Sequence, residues 1–397
     1  MILENDKKMN RNILTTRGML FIKRTVLRPV DKEGLEKLMN MKNVKSVVPL
    51  DDVLGIDDLP FKMTRQMMCA VAYWAQNQCS FKAAETAIRQ MYGAGVVSET
   101  VRKVTEYVGG IVFEKDTRDA NFMMDNMAKM EFQWDKEGVL YVQMDGAAVN
   151  TRCIDEKGST WRENKLGMVF SSDDIRTTMN SKGEKTNRIM KKEYTSYIGS
   201  VKEFKKYVYA LAVRGGYGRY KTTVILGDGA TWIRNMCAEI FPNAIQILDL
   251  FHLCENIYDY AKAAFKNDET KYKPWAESVI DKFKAGKKVE ALEQIENLQK
   301  KYRIPKQTVN LPVYVNNNMD RTDYDQYVKN GYYIGSGAIE SGNKVVFQKR
   351  MKLAGMRWNK TTAQRLLSLR AKFESGLWKE RVLDEIMTHQ FQVIKNL

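Results

Sequence analysis

Histidine is almost missing from this 397-residue chain, which holds only His252 and His389. That scarcity excludes a His-rich metal centre and leaves little room for a histidine-based nucleophile triad. Cysteine is scarce as well. Cys69, Cys79, Cys153, Cys237 and Cys254 are odd in number and widely spread, and none forms Cys-x-x-Cys. No zinc ribbon is expected, and the thiols read as reduced, in a cytoplasmic protein. No run of about 18 apolar residues exists, so no transmembrane helix is expected. The opening MILENDKKMNRN lacks the apolar core of a secretory signal. Repeats and low-complexity tracts are also missing. One long stretch, Ser341 to Phe373, contains no acidic residue at all.

What is present is charge of one sign. The formal net charge is +16, with a pI near 9.4, in a chain that is 44% apolar and 10% aromatic. The apolar share fits a globular protein, and the length allows two or three domains. A chain this basic usually meets a polyanion, of which nucleic acid is the commonest. A membrane-surface role would call for a basic amphipathic helix beside an apolar anchor, and the sequence has none.

Five regions follow from the patterning. Residues 1–60 form an N-terminal β/extended region: TRGMLFIKRTVLR reads as a short hairpin, and VVPLDDVLGID, with Pro49, as an extended connector. Residues 61–130 read as helical. Met63, Met67, Val71 and Trp74 recur at helical spacing. Ser80 is placed to cap a second helix and Ser98 a third. This is the outline of a helix-turn-helix, with Lys82, Arg89, Arg102 and Lys103 on polar faces. A small helical bundle that only packs on its neighbour fits the same pattern.

Residues 131–254 change period. Strand-like runs appear at 139–144, 166–171 and 194–200, a helix at 201–213, then strands at 222–227 and 244–250 around a helix at 231–241. Three strands joined by short links, followed by helical crossovers, give a mixed α/β sheet of RNase H-like outline flanked by helices. Residues 255–330 read as an all-α insertion, and 331–397 as a returning core helix and basic C-terminal helices.

Three acidic residues carry the chemistry. Asp145 closes VLYVQMDGA, Asp228 closes TTVILGDGA, and Glu340 sits in GSGAIESGNK. Carboxylates at strand ends suit hard cations such as Mg²⁺ or Mn²⁺, and two such ions serve an in-line phosphoryl displacement. A single Asp-Gly that ends a strand in a turn is ordinary. Two matching Asp-Gly-Ala sites in a strongly basic chain are less so.

Beyond Glu340 the acid-free stretch holds nine basic residues: Lys344, Lys349, Arg350, Lys352, Arg357, Lys360, Arg365, Arg370 and Lys372. A one-sign segment repels itself unless a polyanion neutralises it. It therefore reads as a phosphate track, or else as a basic helix packed on the protein's own acidic face. Asp249 and His252, in DLFH, read as a structural or substrate-positioning pair. Asp249 as a third strand-end ligand, and His252 as a core histidine, stay open. Trp358, beside Arg357, fits either a base-stacking ring or a core residue.

VQMDGAAVNTR, LGDGATWI, LDLFHLCENI and GSGAIESGNKVVFQKRMKLAGMRW together resemble bacterial insertion-sequence transposases of the ISLre type. These are DDE enzymes, more distantly similar to Mutator-like transposases. The resemblance runs from about Pro49 to the C-terminal helices. It implies an RNase H-like core interrupted by a helical insertion, with Asp145, Asp228 and Glu340 as the metal-binding triad. Asp249-x-x-His252 resembles a Cys/Asp-x-x-His element of the wider group. Family members carry a cysteine-rich segment ahead of the Pro-Leu-Asp motif. Residues 1–48 here hold no cysteine, which leaves a zinc-dependent end-recognition module without its ligands.

The expected function is a DNA transposase with two Mg²⁺ or Mn²⁺ ions. It would bind transposon ends and target DNA as a homodimer or larger assembly, without a membrane partner. The alternative is a non-catalytic DNA-binding relic of a transposase. A carboxylate-pair glycosidase fits Asp145 and Asp228 chemically but gives no reason for the charge.

Overall fold

The computed structural model describes residues 2–389 apart from residues 43, 57–58, 157, 180–182, 184, 306–307 and 336. The chain divides into two compact units. One comprises Met1–Glu114 with Leu377–Leu397, the other Lys115–Gly376.

The first unit opens with a long antiparallel hairpin, β1 (Leu3–Thr15) and β2 (Gly18–Pro29). The expected extended connector is instead a short helix, Pro49–Leu54. Pro49 stands in its first turn, where the missing N–H costs nothing, and Gly55 closes it at φ 60°. Asp51 in this helix is buried and accepts from Arg11 at 3.0 Å and from Arg24. Helices Arg65–Asn77, Phe81–Tyr92 and Ser98–Asp125 follow, matching the expected three. Ser80 caps the second as expected, its Oγ accepting from Ala83 N–H at 3.0 Å. Ser98 does not cap the third. It is the first helical residue, and its own N–H donates to Glu85 Oε2 at 2.8 Å.

The second unit is built on a five-stranded mixed sheet. Its strands are β3 (Lys136–Asn150), β4 (Trp161–Ser171), β7 (Glu193–Ile198), β8 (Tyr220–Gly227) and β9 (Ile245–Leu248), in the order β7-β4-β3-β8-β9. β4 runs antiparallel to β3 and β7, whereas β8 is parallel to β3 and β9. The link from β4 to β7 is not short. It carries an exposed hairpin, β5 (Ile175–Met179) and β6 (Lys185–Ile189), whose polar alternation gave no buried-strand signal.

Alternation along β3 sends Leu140, Val142 and Met144 to one face, where helices Val201–Gly215 and Thr231–Ile240 cover them. Tyr141, Gln143 and Asp145 point to the other. There Tyr141 joins Val224 and Leu226 of β8 in a core shared with helix Leu250–Ala264 and the following helices.

β3 also runs further than the apolar run predicts. Asp145 pairs with Leu166 of β4, and β3 continues to Asn150. The parallel pairing with β8 stops earlier, at Gln143 and Leu226. Asp145 is therefore inside its strand but just past the point where its parallel neighbour ends. Asp228 lies directly after β8, in the turn to helix Thr231–Ile240.

The two Asp-Gly pairs are thus physically different. Gly229 has φ +88°, and a Cβ there would stand 2.8 Å from the Tyr314 ring and 2.9 Å from Leu248. At Gly146 a Cβ would meet only the movable Glu163 carboxylate, at 2.6 Å. Gly229→Ala should accordingly destabilise the protein by about 1–3 kcal/mol, from left-handed strain and overpacking together. Gly146→Ala should cost less than about 1 kcal/mol, the scale of substitutions whose neighbours can yield. Denaturant unfolding of the two variants checks the difference.

Candidate metal and nucleic-acid site

The acidic residues converge at the carboxyl end of the parallel strands. Asp145 is half-buried; its Oδ1 accepts from Gly146 N–H at 2.7 Å and its Oδ2 from the Asn343 amide. Asp228 Oδ1 accepts from Ala230 N–H at 3.0 Å, and its carbonyl accepts from the Tyr314 hydroxyl at 2.9 Å. Asp249 follows β9, and its N–H reaches Gly227 O at 2.9 Å, which sets it beside the end of β8. Its fully buried carboxylate caps helix Leu250–Ala264, accepting from Phe251 N–H at 3.1 Å and His252 N–H at 3.3 Å. The His252 ring closes the pair, its Nδ1 lying 2.5 Å from Asp249 Oδ2.

Glu340 comes from the short helix Gly337–Gly342. Ser336 of its motif lies outside the described residues. One oxygen each of Asp249 and Glu340 and one ring nitrogen of His252 all lie within 4.8 Å of one another. A cavity of about 820 Å³ opens beside Glu340, walled by Tyr141, Phe251, Tyr332 and Tyr333 among others.

The electrostatics are those of crowded anions. Burial is the main force raising the Asp145 carboxyl, and the Asp228 charge adds to it. Gly146 N–H, the Asn343 amide and the His252 charge act the other way. The His252 ring is pushed up to about 9, chiefly by its hydrogen bond to Asp249, with Asp249, Asp228 and Glu255 charges adding. At neutral pH the ring is an imidazolium among carboxylates. Asp249's oxygens already hold two amides and this ring, so its lone pairs are largely committed. That arrangement suits a positioning pair better than a ligand.

The structure thus brings Asp145, Asp228, Asp249, His252 and Glu340 together. Two groups that sequence reasoning missed also stand here, Asn343 and Tyr314. Asn343 stands three residues after Glu340, a spacing that shares a helical face. Nothing in the sequence singles out Tyr314.

The basic candidates separate. Lys344, Lys349, Lys352 and Arg357 are exposed, as is Lys103. Arg350 is 1% exposed and lies 5.0 Å from the Trp358 ring centre. Trp358 is 7% exposed, its indole N–H donates to Met351 O at 3.3 Å, and its backbone N–H pairs with Asn150 O at 3.0 Å. Trp358 is therefore a core residue, and neither it nor Arg350 faces solvent, which corrects the expectation that they meet DNA. Arg370 and Lys372 are buried too. Arg370 donates to Val346 O at 2.7 Å, and Lys372 pairs with Asp116 at 2.8 Å. Arg102, expected at a DNA surface, is held between Glu99 at 2.6 Å and Glu106 at 2.5 Å.

A family model described as Uncharacterised protein family (UPF0236) matches residues 39–385. No curated protein matches the chain. Among solved structures, the Drosophila P element transposase strand transfer complex aligns with 83% of this chain and 82% of that one, at 10% identity and a TM-score of 0.24. A likeness of that degree carries no argument. Among the described residues, no helix is long and apolar enough to cross a membrane.

The raised His252 has a checkable consequence. Its folded value of about 9 exceeds the ordinary 6.5, so the Asp249 pair adds stability that is complete below about pH 6.5 and is lost as pH rises through about 9. With only two histidines present, ring resonances of the metal-free protein should show one titrating near 9. Asp249→Asn should return that resonance toward the ordinary range.

Proposed function

This chain belongs to the family described as Uncharacterised protein family UPF0236, and for it we propose the function of a DNA transposase that cleaves and joins strands with divalent cations. The observation that carries the reading is the gathering of carboxylates at one sheet end, Asp145 beside Asp228 and Glu340 beside Asp249 and His252, in a chain of net charge +16. The sheet supports it. Its order is third, second, first, fourth, fifth, with the second strand antiparallel, and the reading takes this as an RNase H-like core. The chain between β9 and Glu340 folds as helices, including Glu269–Lys284 and Lys288–Lys301, as a helical insertion requires.

The donor set fits Mg²⁺ or Mn²⁺. Asp145, Asp228 and Glu340 offer hard oxygens, and burial with a neighbouring anion leaves Asp145 short of positive charge. When bound, two such ions supply Lewis acidity to the attacking and leaving oxygens of a phosphodiester. The chain's own part is to hold the carboxylates, to fix the His252 ring through Asp249, and to present cations to the backbone. Lys344, Lys349, Lys352 and Arg357 are exposed for that last task. Lys103 and the helices Arg65–Asn77 to Ser98–Asp125 would add a second, helix-turn-helix-like contact to transposon ends. The protein would act in the cytoplasm, as a homodimer or larger assembly on DNA. A DNA-binding relic without catalysis would keep the basic surface and lose the chemistry.

Asp145→Asn, Asp228→Asn and Glu340→Gln should each lower Mg²⁺-dependent nicking of an element-end DNA at least about 100-fold, since each removes a charge worth several kcal/mol at the transition state. DNA affinity should persist. A wild-type protein that binds DNA and never nicks it would favour the relic.

Replacing Lys344, Lys349 and Lys352 together by Gln should flatten the log affinity against log salt slope by up to about 3 units, about 0.9 for each phosphate left unneutralised. The weakening should be alike for cognate and random DNA. Arg350→Gln should instead lower thermal stability and leave the slope unchanged.

A further inference from the structure

Two buried amides tie the helix that carries Glu340 to the strand that carries Asp145. Gln143, on the same face of β3 as Asp145, accepts from Ile339 N–H at 3.0 Å. Asn343 donates its Nδ2 to Asp145 Oδ2. Ile339 immediately precedes Glu340 and Asn343 follows it by about one helical turn, so the clamps stand on either side of the acid. The helix also lies close to β7: a Cβ on Gly342 would stand 2.6 Å from the Tyr194 ring. From Asn343 to Gln348 the backbone winds as a π-turn. Such turns insert one extra residue into a helix and recur at functional sites.

Asn343 is 3% exposed, and its Oδ1 is buried with no hydrogen-bond partner among the described residues. A half-satisfied buried amide is a poor choice for stability, because an apolar side chain of similar size would leave no orphan acceptor. The satisfied half is what this residue contributes, and that half holds Asp145. We propose that Asn343 is a positioning residue: its amide fixes the Asp145 carboxylate relative to Glu340 before a cation arrives. This rests on the reading of Asp145 and Glu340 as cation ligands. Fixed carboxylates bind a cation without first being ordered, and groups that orient ligands typically contribute 10–100-fold in metal affinity.

The test measures Mn²⁺ binding to the full chain by calorimetry, beside the Mg²⁺ dependence of nicking. The proteins are wild type, Asp145→Asn, Asn343→Leu and Asn343→Ala. Asn343→Leu should keep or raise thermal stability, because it removes the orphan acceptor, and should leave DNA affinity intact. It should weaken Mn²⁺ binding about 10-fold or more. The half-saturating Mg²⁺ should rise by a similar factor, with the rate largely recovering at saturating Mg²⁺. Asn343→Ala should show the same metal shift, and it decides the matter if leucine does not fit. Mn²⁺ binding at wild-type strength in the folded Asn343 variants, with Asp145→Asn impaired, would make Asn343 a packing residue and overturn the proposal alone. If wild type fails to bind Mn²⁺, or Asp145→Asn binds as tightly as wild type, the ligand reading fails and this one with it.

Discussion

Repulsion among half-buried carboxylates is the constraint on which the second unit turns. Asp145, Asp228, Asp249 and Glu340 come from the interior of β3, the turn after β8, a helix cap and a separate helix. Held near one another away from bulk water, they repel more strongly than they would at a surface. The fold answers locally. Asp249 is neutralised by the His252 imidazolium and by two amides at a helix start, where the peptide dipoles also favour an anion. Asp145 receives the Gly146 N–H and the Asn343 amide, yet burial still holds its carboxyl raised. The protein's own groups compensate the anions only in part, and the remainder is the pull that the proposed cations would meet.

The parallel half of the sheet was readable because its strands are buried on both faces. Runs such as Val139–Met144 and Thr222–Gly227 are largely apolar, broken only by Gln143 and by the opening threonines. The same logic fails where only one face, or neither, is buried. β5 and β6 are mostly polar, and of their described residues only Ile175 and Ile189 pack against the core, so a pattern tuned to apolar runs passes over them. The tail of β3 beyond Asp145 is held by β4 and, at Asn150, by the backbone of Trp358, pairings that no local composition announces. Pro49 suggests a connector in sequence, but it stands in the first turn of a short helix that carries the buried, ion-paired Asp51. At the site, the settings of Asp145, Asp228 and Glu340 single them out in the sequence as candidates. Asn343 is not singled out, because its importance lies in a contact between residues nearly two hundred positions apart.

The acid-free segment shows what a charge count leaves out. Its nine cations serve two separate purposes. Helix Lys360–Glu374 is the cover of the sheet edge. Gln364 Oε1 accepts from Ile198 N–H at 2.7 Å, its Nε2 donates to Ser196 O at 2.9 Å, and Ser375 Oγ accepts from Tyr194 N–H at 2.8 Å. These contacts occupy the free side of β7, the kind of edge that otherwise pairs with another chain. Arg370 and Lys372 belong to this cover, satisfied by backbone carbonyls and by Asp116. Arg350 under Trp358 belongs to the core behind Glu340. Five remain exposed: Lys344, Lys349, Lys352 and Arg357, on the stretch that leaves Glu340 directly, and Lys360 at the start of the covering helix. The exposed charge is smaller than the sequence implies, but it is concentrated next to the acids.

The helical insertion is bound into the same arrangement. Tyr314 donates to the Asp228 carbonyl and fills the space over Gly229, so the residue after the acid is small because a tyrosine already stands there. Tyr324 donates to Leu248 O at 3.0 Å, at the end of β9 just before Asp249. Each of these two strand ends is thus fixed by a hydroxyl from the segment that separates Asp249 from Glu340. An insertion that merely extended a binding surface would have no need of such contacts. Because it makes them, a change in how its helices pack would be felt first at Asp228 and at Leu248, the residue directly before Asp249.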